Sequence, residues 1–235
     1  MKPAVEKKQI SFDDYVENYE KEIQSSIGFI GQDHDFFIKV KANKISDIVK
    51  KNFNDSANVK ILDIGSGIGL IDHHLAENFN NLYGVDVEEG VVGKARKFNP
   101  GVNYSLYDGT SLPFESGSMD VVFAINVMHH VVPSHWGNFT KEMFRVVKKG
   151  GIALVFEHNP LNPLTRIAVS KCEFDRDAVL LHKGNLKKLF LSSGFKNISS
   201  SYILFLPFKK EFFRKIEGLI SWLPFGAQFC IVGQA

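Results

Sequence analysis

Cysteine is scarce in this 235-residue chain: Cys172 and Cys230 allow one pair at most, and a domain of 26.4 kDa does not need that pair to hold together. A reducing, cytoplasmic setting is therefore expected. Charge of one sign is also missing. The 28 basic and 26 acidic residues leave a formal +2, scattered along the chain, so no nucleic-acid partner is expected. The opening MKPAVEKKQISFDDY has no apolar core and no small-residue cleavage pattern, so it does not read as a secretory signal. A membrane-spanning run is absent too, because the longest uncharged stretch, Leu219 to Ala235, is interrupted by Pro224, Gly226 and Gln228. Neither internal repeats nor low-complexity tracts occur. The histidines His34, His73, His74, His135 and His182 show no ligand spacing with cysteine or carboxylate, and no metal is expected.

What is present is a 44% hydrophobic content in short runs, enough to bury one sizeable core. VKILDIG (59–65), NLYGVDV (81–87), VNYSLYD (102–108), MDVVFAIN (119–126) and GIALVFEH (151–158) predict five strands. Helical stretches fall between them at 69–79, 90–98 and 134–148, with a mixed segment at 111–116. Strand alternating with helix predicts a parallel sheet covered on both faces, whose ligand site lies outside the carboxyl ends of the strands where strand order reverses. After residue 183 a helix at 185–193 is followed by strands at 200–208 and 228–233, with a helical stretch at 209–223 between them. Residues 1–58 carry helical patterns at 12–26 and 35–53 and read as a cap, not an independent domain. The remainder, 59–235, reads as the catalytic domain.

The sharpest local signal is LDIGSGIG, where Gly65, Gly67 and Gly69 alternate at the turn from the first strand into the first helix. Glycines at that point let the backbone approach a ligand closely. Asp63 argues against a pyrophosphate there, since its charge would repel one, and the third glycine of the dinucleotide fingerprint would fall on Leu70. An acidic, glycine-lined turn suits a cationic, phosphate-free nucleoside. S-adenosylmethionine, with an ammonium and a sulfonium, has that chemistry. Asp86, at the end of the second strand, lies at the spacing of a ribose-binding carboxylate, and Asp108-Gly109 ends the third strand.

LDIGSGIG, GVDVEEG, DGTSLPFESGSMDVVFAINVMHHV, VVKKGG and SSGF, in that order, resemble the class I S-adenosylmethionine-dependent methyltransferases from about residue 60 to 195. The resemblance implies an α/β, Rossmann-like, doubly wound and mostly parallel seven-stranded sheet with an antiparallel last strand. It implies that Asp63, Gly65, Ser66 and Gly67 surround the methionine part of the cofactor. Asp86 would hold the ribose, Val87 would pack on adenine, Asp108 and Gly109 would meet its edge, and Asn126 and Val127 would line the cofactor below the methyl group. Phe12 to Tyr15 and Tyr19 match an aromatic-acidic opening over the cofactor.

The acceptor side is less defined. His130, His129 and His158 stand at the functional edge as candidate bases for a small-molecule hydroxyl, amine or carbon acceptor, lipid- or glycan-linked acceptors included. EHNPLNPLTR is either a polar strand exit facing the substrate or, equally, a helix start with Asn159 as N-cap and Pro160 as first helical residue. CEFDRDAVLLHKGNL (172–186) reads as a roof with Asp175, Arg176 and Asp177 available. KKEFFRKIEGLISWL (209–223) puts Phe212, Phe213, Ile216, Leu219, Ile220 and Leu223 on one stripe, which serves either to pack on the sheet or to touch a membrane peripherally. A nicotinamide oxidoreductase and a catalytically silent cofactor-binding module are the alternatives to the methyltransferase reading.

Overall fold

A computed structural model describes residues 34–205 and 217–235. The predicted helix at 12–26, with Phe12 to Tyr15 and Tyr19, and most of the stretch 209–223 lie outside the described residues. In chain order the elements are α1 (His34–Asn52), β1 (Lys60–Ile64), α2 (Leu70–Leu75), β2 (Asn81–Asp86), α3 (Glu89–Phe98), β3 (Asn103–Leu106), β4 (Met119–Ile125), α4 (Trp136–Val146), β5 (Val147–His158), α5 (Pro163–Lys171), α6 (Lys183–Ser193), β6 (Lys196–Ile203) and β7 (Gln228–Gln234). The strands form one sheet in the order β3-β2-β1-β4-β5-β7-β6. Six strands run parallel; β7 inserts between β5 and β6 and pairs antiparallel with both.

Side-chain alternation along the strands divides the interior into two layers. Ile61, Val121, Phe123, Leu154 and Phe156 face Ile45 and Val49 of α1, Leu75 of α2, and Val92 and Ala95 of α3. Leu62, Ile64, Val122, Ala124, Val155 and Phe229 face Met143 and Val146 of α4 and Leu186 and Phe190 of α6. Ile45 and Val49 are fully buried, so α1 contributes to the central core. The chain winds outward from β1 to β2 and β3, then returns to β4 on the other side of β1. That reversal between β1 and β4 marks the ligand edge.

Of the boundaries that differ from expectation, three have identifiable reasons. β5 starts at Val147, not Gly151, because the exposed turn around Gly150 (φ +82°) is a bulge between the Met119–Val147 and Val121–Ile152 pairs. β6 starts at Lys196 because an edge strand tolerates the polar run Asn197 to Ser201, which hid its period. α5 is capped by Asn162, whose Oδ1 accepts from the backbone N–H of Leu164 and Thr165, with Pro163 as first helical residue. The expected cap at Asn159 and Pro160 is therefore one turn early. The Asn159 amide instead donates to the carbonyls of Pro224 and Gly226 at 3.0 and 2.8 Å, pinning the entry to β7.

Candidate active site

The loop between β1 and α2 is shaped by three glycines at φ +73°, +56° and +78° (Gly65, Gly67, Gly69), a region that side-chain-bearing residues rarely occupy. Gly65 is also crowded: a Cβ there would fall 2.5 Å from Cγ2 of Val127, so the exit of β4 rests directly on the loop. Gly67 is the opposite case, with nothing within 4 Å of an added Cβ. The N–H groups of Gly65 and Ser66 donate to the Val85 carbonyl at 2.8 and 3.0 Å. Asp86, at the end of β2, accepts from Gly67 N at 2.9 Å through Oδ2 and from Val87 N at 2.8 Å through Oδ1, with Glu88 N at 3.3 Å. Burial raises the Asp86 carboxyl while these donors oppose the rise.

Asp63 is 3% exposed, at the end of β1. Burial, then the neighbouring charges of Asp72 and Asp86, push its carboxyl well above the usual range. The Ser66 hydroxyl beside it is buried without a partner. Behind the loop, Tyr104 Oη donates to Asp72 Oδ2 at 2.8 Å, and the Asn99 amide donates to Tyr104 Oη at 3.0 Å and to the Gly69 carbonyl at 2.8 Å. Burial carries Asp72 up to about 7, with the Tyr104 hydroxyl holding it down.

Val87 is half exposed, and Gly109 (φ +77°) approaches it, an added Cβ lying 3.4 Å from Val87 Cγ1. Asp108 Oδ1 accepts from Thr110 N and Ser111 N at 2.8 Å each, lowering its carboxyl and fixing the turn. The segment 111–116 is not helical. It is held from α4 by Arg145, which donates to the carbonyls of Leu112 and Phe114 while paired with Glu142. Asn126 adopts φ +56°, donates its N–H to the Phe156 carbonyl and accepts from the Gln228 amide at 3.2 Å. All ten expected cofactor positions thus gather at the carboxyl edge of β1 to β4. A cavity of about 510 Å³ lined by His73, Phe79, Phe98 and Val102 lies at the opposite edge. His73 stacks on Phe98 there and bonds Asn99, so His73 and His74 take no part in the site.

The three histidines meet beside Asn126. His129 is 1% exposed, with Nδ1 2.6 Å from Glu157 Oε2 and Nε2 3.2 Å from Asp175 Oδ1. Glu157 Oε1 accepts from the Met128 N–H at 2.8 Å. Nε2 of His130 and of His158 lie 3.5 and 3.8 Å from the same Asp175 carboxylate. Burial disfavours charge on His129, but Glu157 and then Asp175 outweigh it and carry the imidazole up to about 10. Burial followed by the His129 charge drives His130 and His158 down to about 4. Against its burial, Asp175 is held at about 2 by the His129 hydrogen bond and the surrounding imidazoles. Asp175 therefore leaves the set of solvated roof charges and enters the cluster. Glu157 and Lys41 had not been expected here. Burial pushes Lys41 down to about 8 against the pull of Glu157. Both could be found in sequence as charges inside apolar patterns, Glu157 in LVFEH and Lys41 in the stripe Ile38, Lys41, Ala42, Ile45.

The buried Asp63 carboxyl among neighbouring carboxylates, the unpartnered Ser66 hydroxyl and open space over Gly67 fit S-adenosylmethionine, with its cationic amino acid end and no phosphate. Comparison with known proteins agrees. Residues 62–155 match the family model described as a methyltransferase domain. The chain is 33% identical over 103 residues to 2-methyl-6-phytyl-1,4-hydroquinone methyltransferase of Synechocystis, a match covering 42% of this chain and 32% of that protein. It spans about a third of the length of the first curated relatives it matches. Its fold is similar to that of a possible histamine N-methyltransferase of Thermotoga maritima, with a TM-score of 0.67 and 21% identity over 95% of this chain and 97% of that one. Phosphoethanolamine N-methyltransferase 2 of Haemonchus contortus, solved with S-adenosyl-L-methionine, is similar at a TM-score of 0.62 and 17% identity over 96% of this chain and 60% of that one. Residues 62–155 thus match a methyltransferase domain, and the fold around them is similar to that of solved S-adenosylmethionine-dependent methyltransferases.

Proposed function

We propose that the protein transfers a methyl group from S-adenosylmethionine to a small-molecule acceptor. The observation that carries this reading is the buried Asp63 carboxyl, pushed up by burial and by the charges of Asp72 and Asp86, together with a Ser66 hydroxyl buried without a partner. An ammonium is the ligand group that relieves it. S-adenosylmethionine supplies an electrophilic methyl on a positive sulfur, and its displacement by the acceptor leaves neutral S-adenosylhomocysteine. Asp63 and Ser66 hold the amino acid end, Gly65 and Gly67 let the backbone close on it, and Asp86 accepts the ribose hydroxyls. Val87 and Gly109 clasp the adenine, with Asp108 at its edge, and Asn126 and Val127 floor the methyl. These residues align the reactants and exclude water, from which methyl transfer gains most.

On the acceptor side the reading gives His130 the proton of a hydroxyl acceptor. It is the most exposed of the three histidines, at 30%, while His129 and His158 sit deeper. An apolar or lipid-linked acceptor is favoured by Leu219, Trp222 and Phe225, which are 78%, 73% and 67% exposed. No helix among the described residues is long and apolar enough to cross a membrane. Both cysteines are free thiols, which supports a cytoplasmic setting.

Calorimetric titration tests the reading. S-adenosylmethionine and S-adenosylhomocysteine should bind the full chain in the micromolar range or tighter, and Asp63→Asn should weaken the former by tenfold or more. Binding of NAD with none of S-adenosylmethionine would establish the oxidoreductase instead. Tight cofactor binding with no transfer across a broad metabolite screen would establish the silent module.

A further inference from the structure

We propose that His129, His158 and Asp175 form a binding site for one divalent transition metal ion of the zinc class, with Glu157 as the outer partner that orients His129. Each of the three offers a ligand atom, and these atoms lie within 4.8 Å of one another. The sequence hid the set: His129 follows β4, His158 ends β5, and Asp175 comes from the connection after α5, so no short ligand spacing appears.

Two features of the geometry separate this cluster from an ordinary hydrogen-bonded one. Three imidazole nitrogens converge on one carboxylate, yet only His129 is within hydrogen-bond reach at 3.2 Å; His130 and His158 stand off at 3.5 and 3.8 Å. Ligands bound tetrahedrally at about 2.0 to 2.1 Å sit about 3.3 Å from each other; His129 Nε2 and Asp175 Oδ1 already stand at 3.2 Å, and His158, 3.8 Å from the other carboxylate oxygen, needs a side-chain shift to close on an ion. Second, the far nitrogen of His129 is clamped by Glu157 at 2.6 Å, and Glu157 is itself held by the Met128 N–H. A carboxylate on Nδ1 keeps that nitrogen's proton and orients the ring, so that an ion can take the place of the proton between Nε2 and Asp175; metal-bound histidines almost always have such a partner.

The scaffold is rigid. Val179 N donates to the His129 carbonyl at 2.8 Å and Asp175 N donates to the Cys172 carbonyl at 3.1 Å, tying the connection to the histidine turn. The side chains of His129, His158 and Asp175 are 1%, 17% and 12% exposed, enclosed but not sealed. Nitrogen and carboxylate donors select zinc, cobalt or iron over calcium or magnesium. With three protein ligands, a position remains for water or for an oxygen of the acceptor. His130 stands beside that position, which joins the ion to the acceptor side of the site.

The test is a cobalt titration of the untagged, chelator-stripped full chain, followed by visible absorption and by metal analysis after gel filtration. One equivalent of Co²⁺ should bind with the strong d–d bands of a tetrahedral site and be displaced by Zn²⁺. Asp175→Asn and His158→Gln should each weaken binding at least tenfold, and Glu157→Gln 10- to 100-fold. His135→Gln, an exposed histidine outside the cluster, should change nothing. Absence of the bands from the folded wild type, or equal binding by a folded Asp175→Asn variant, overturns the site. The wild-type titration decides even where a variant does not fold. S-adenosylmethionine affinity, measured on the same stripped protein, reports separately on the methyltransferase reading.

Discussion

Replacing Asp72 by Asn should change how stability depends on pH, in a direction opposite to that of a salt-bridged carboxylate. In the native protein burial raises this carboxyl from 3.8 to about 7. Between those values the unfolded chain has released the proton and the folded chain retains it, so stability is full below about pH 4 and falls as pH rises toward 7. Each pK unit is worth about 1.4 kcal/mol, so the loss reaches about 4 kcal/mol, and less to the extent that Asp63 shares the proton. The asparagine carbonyl can still accept from Tyr104, whose hydroxyl lies 2.8 Å from Oδ2. Its amide would take the place of Oδ1, which has no partner, adding a fixed penalty of about 1 to 3 kcal/mol that does not vary with pH. Urea unfolding of both proteins at pH 4, 5.5, 7 and 8.5 removes that constant. The variant should gain on the wild type by several kcal/mol from pH 4 to 8.5. Parallel profiles would mean that Asp72 is ionised in the fold at no expense, and the reasoning about the buried carboxylates of this edge would be wrong.

The second and third loop glycines should separate binding from folding. Gly67→Ala meets open space and should lose only about 1 kcal/mol of stability to its positive φ, while cofactor affinity, read by calorimetry, drops at least tenfold. Gly69→Ala would place Cβ 2.3 Å from Tyr104 Oη and 2.5 Å from the Asn99 amide, so denaturant unfolding should show a loss of about 2 to 4 kcal/mol. Asp86→Asn keeps the shape of the side chain but turns an amide toward a backbone donor or removes a charged acceptor, and should weaken S-adenosylmethionine binding by about 1.5 to 3 kcal/mol. Arg145→Ala frees the turn after Asp108 and should raise the cofactor KM while leaving kcat nearly unchanged. His130→Ala should lower kcat and leave cofactor affinity intact; equal loss of both would make the histidine a packing residue. Vesicle sedimentation of wild type against Trp222→Asp checks the apolar surface, and equal failure to pellet would remove the lipid-linked acceptor.

The cofactor edge was legible because its chemistry is local. Gly65 to Gly69 is one turn of chain, and the constraint it meets, a positive φ with backbone close by, leaves a direct mark on residue type. Asp86 and Asp108 end strands whose apolar runs locate them, and parallel pairing brings those ends together without further information. β6 was harder to bound because an edge strand has one exposed side and its polar run breaks the expected period. α5 was misplaced by one turn because EHNPLNPL repeats Asn-Pro, and only the contact of Asn159 with the carbonyls of Pro224 and Gly226, across the fold, decides which pair starts the helix.

The acceptor side has no such local mark, and the reason is electrostatic. Glu157 on a fully buried strand is unfavourable by itself, and so is Asp175 at 12% exposure; each persists because His129 lies between them. Three residues from three segments are therefore fixed by one mutual arrangement, and no one of them is unusual in its own sequence window. The same mutual dependence makes the cluster specific. Remove Glu157 and His129 loses the partner that sets its tautomer; remove Asp175 and the three imidazoles lose the one carboxylate on which all of them converge. On the proposed reading, a proton or a metal ion sits between Asp175 and the imidazoles, and the ammonium of S-adenosylmethionine meets the buried Asp63. Both halves of the proposed site thus present carboxylates to a positive group, at the ends of the adjacent strands β1 and β4, and the methyl group would be exchanged across the boundary between them.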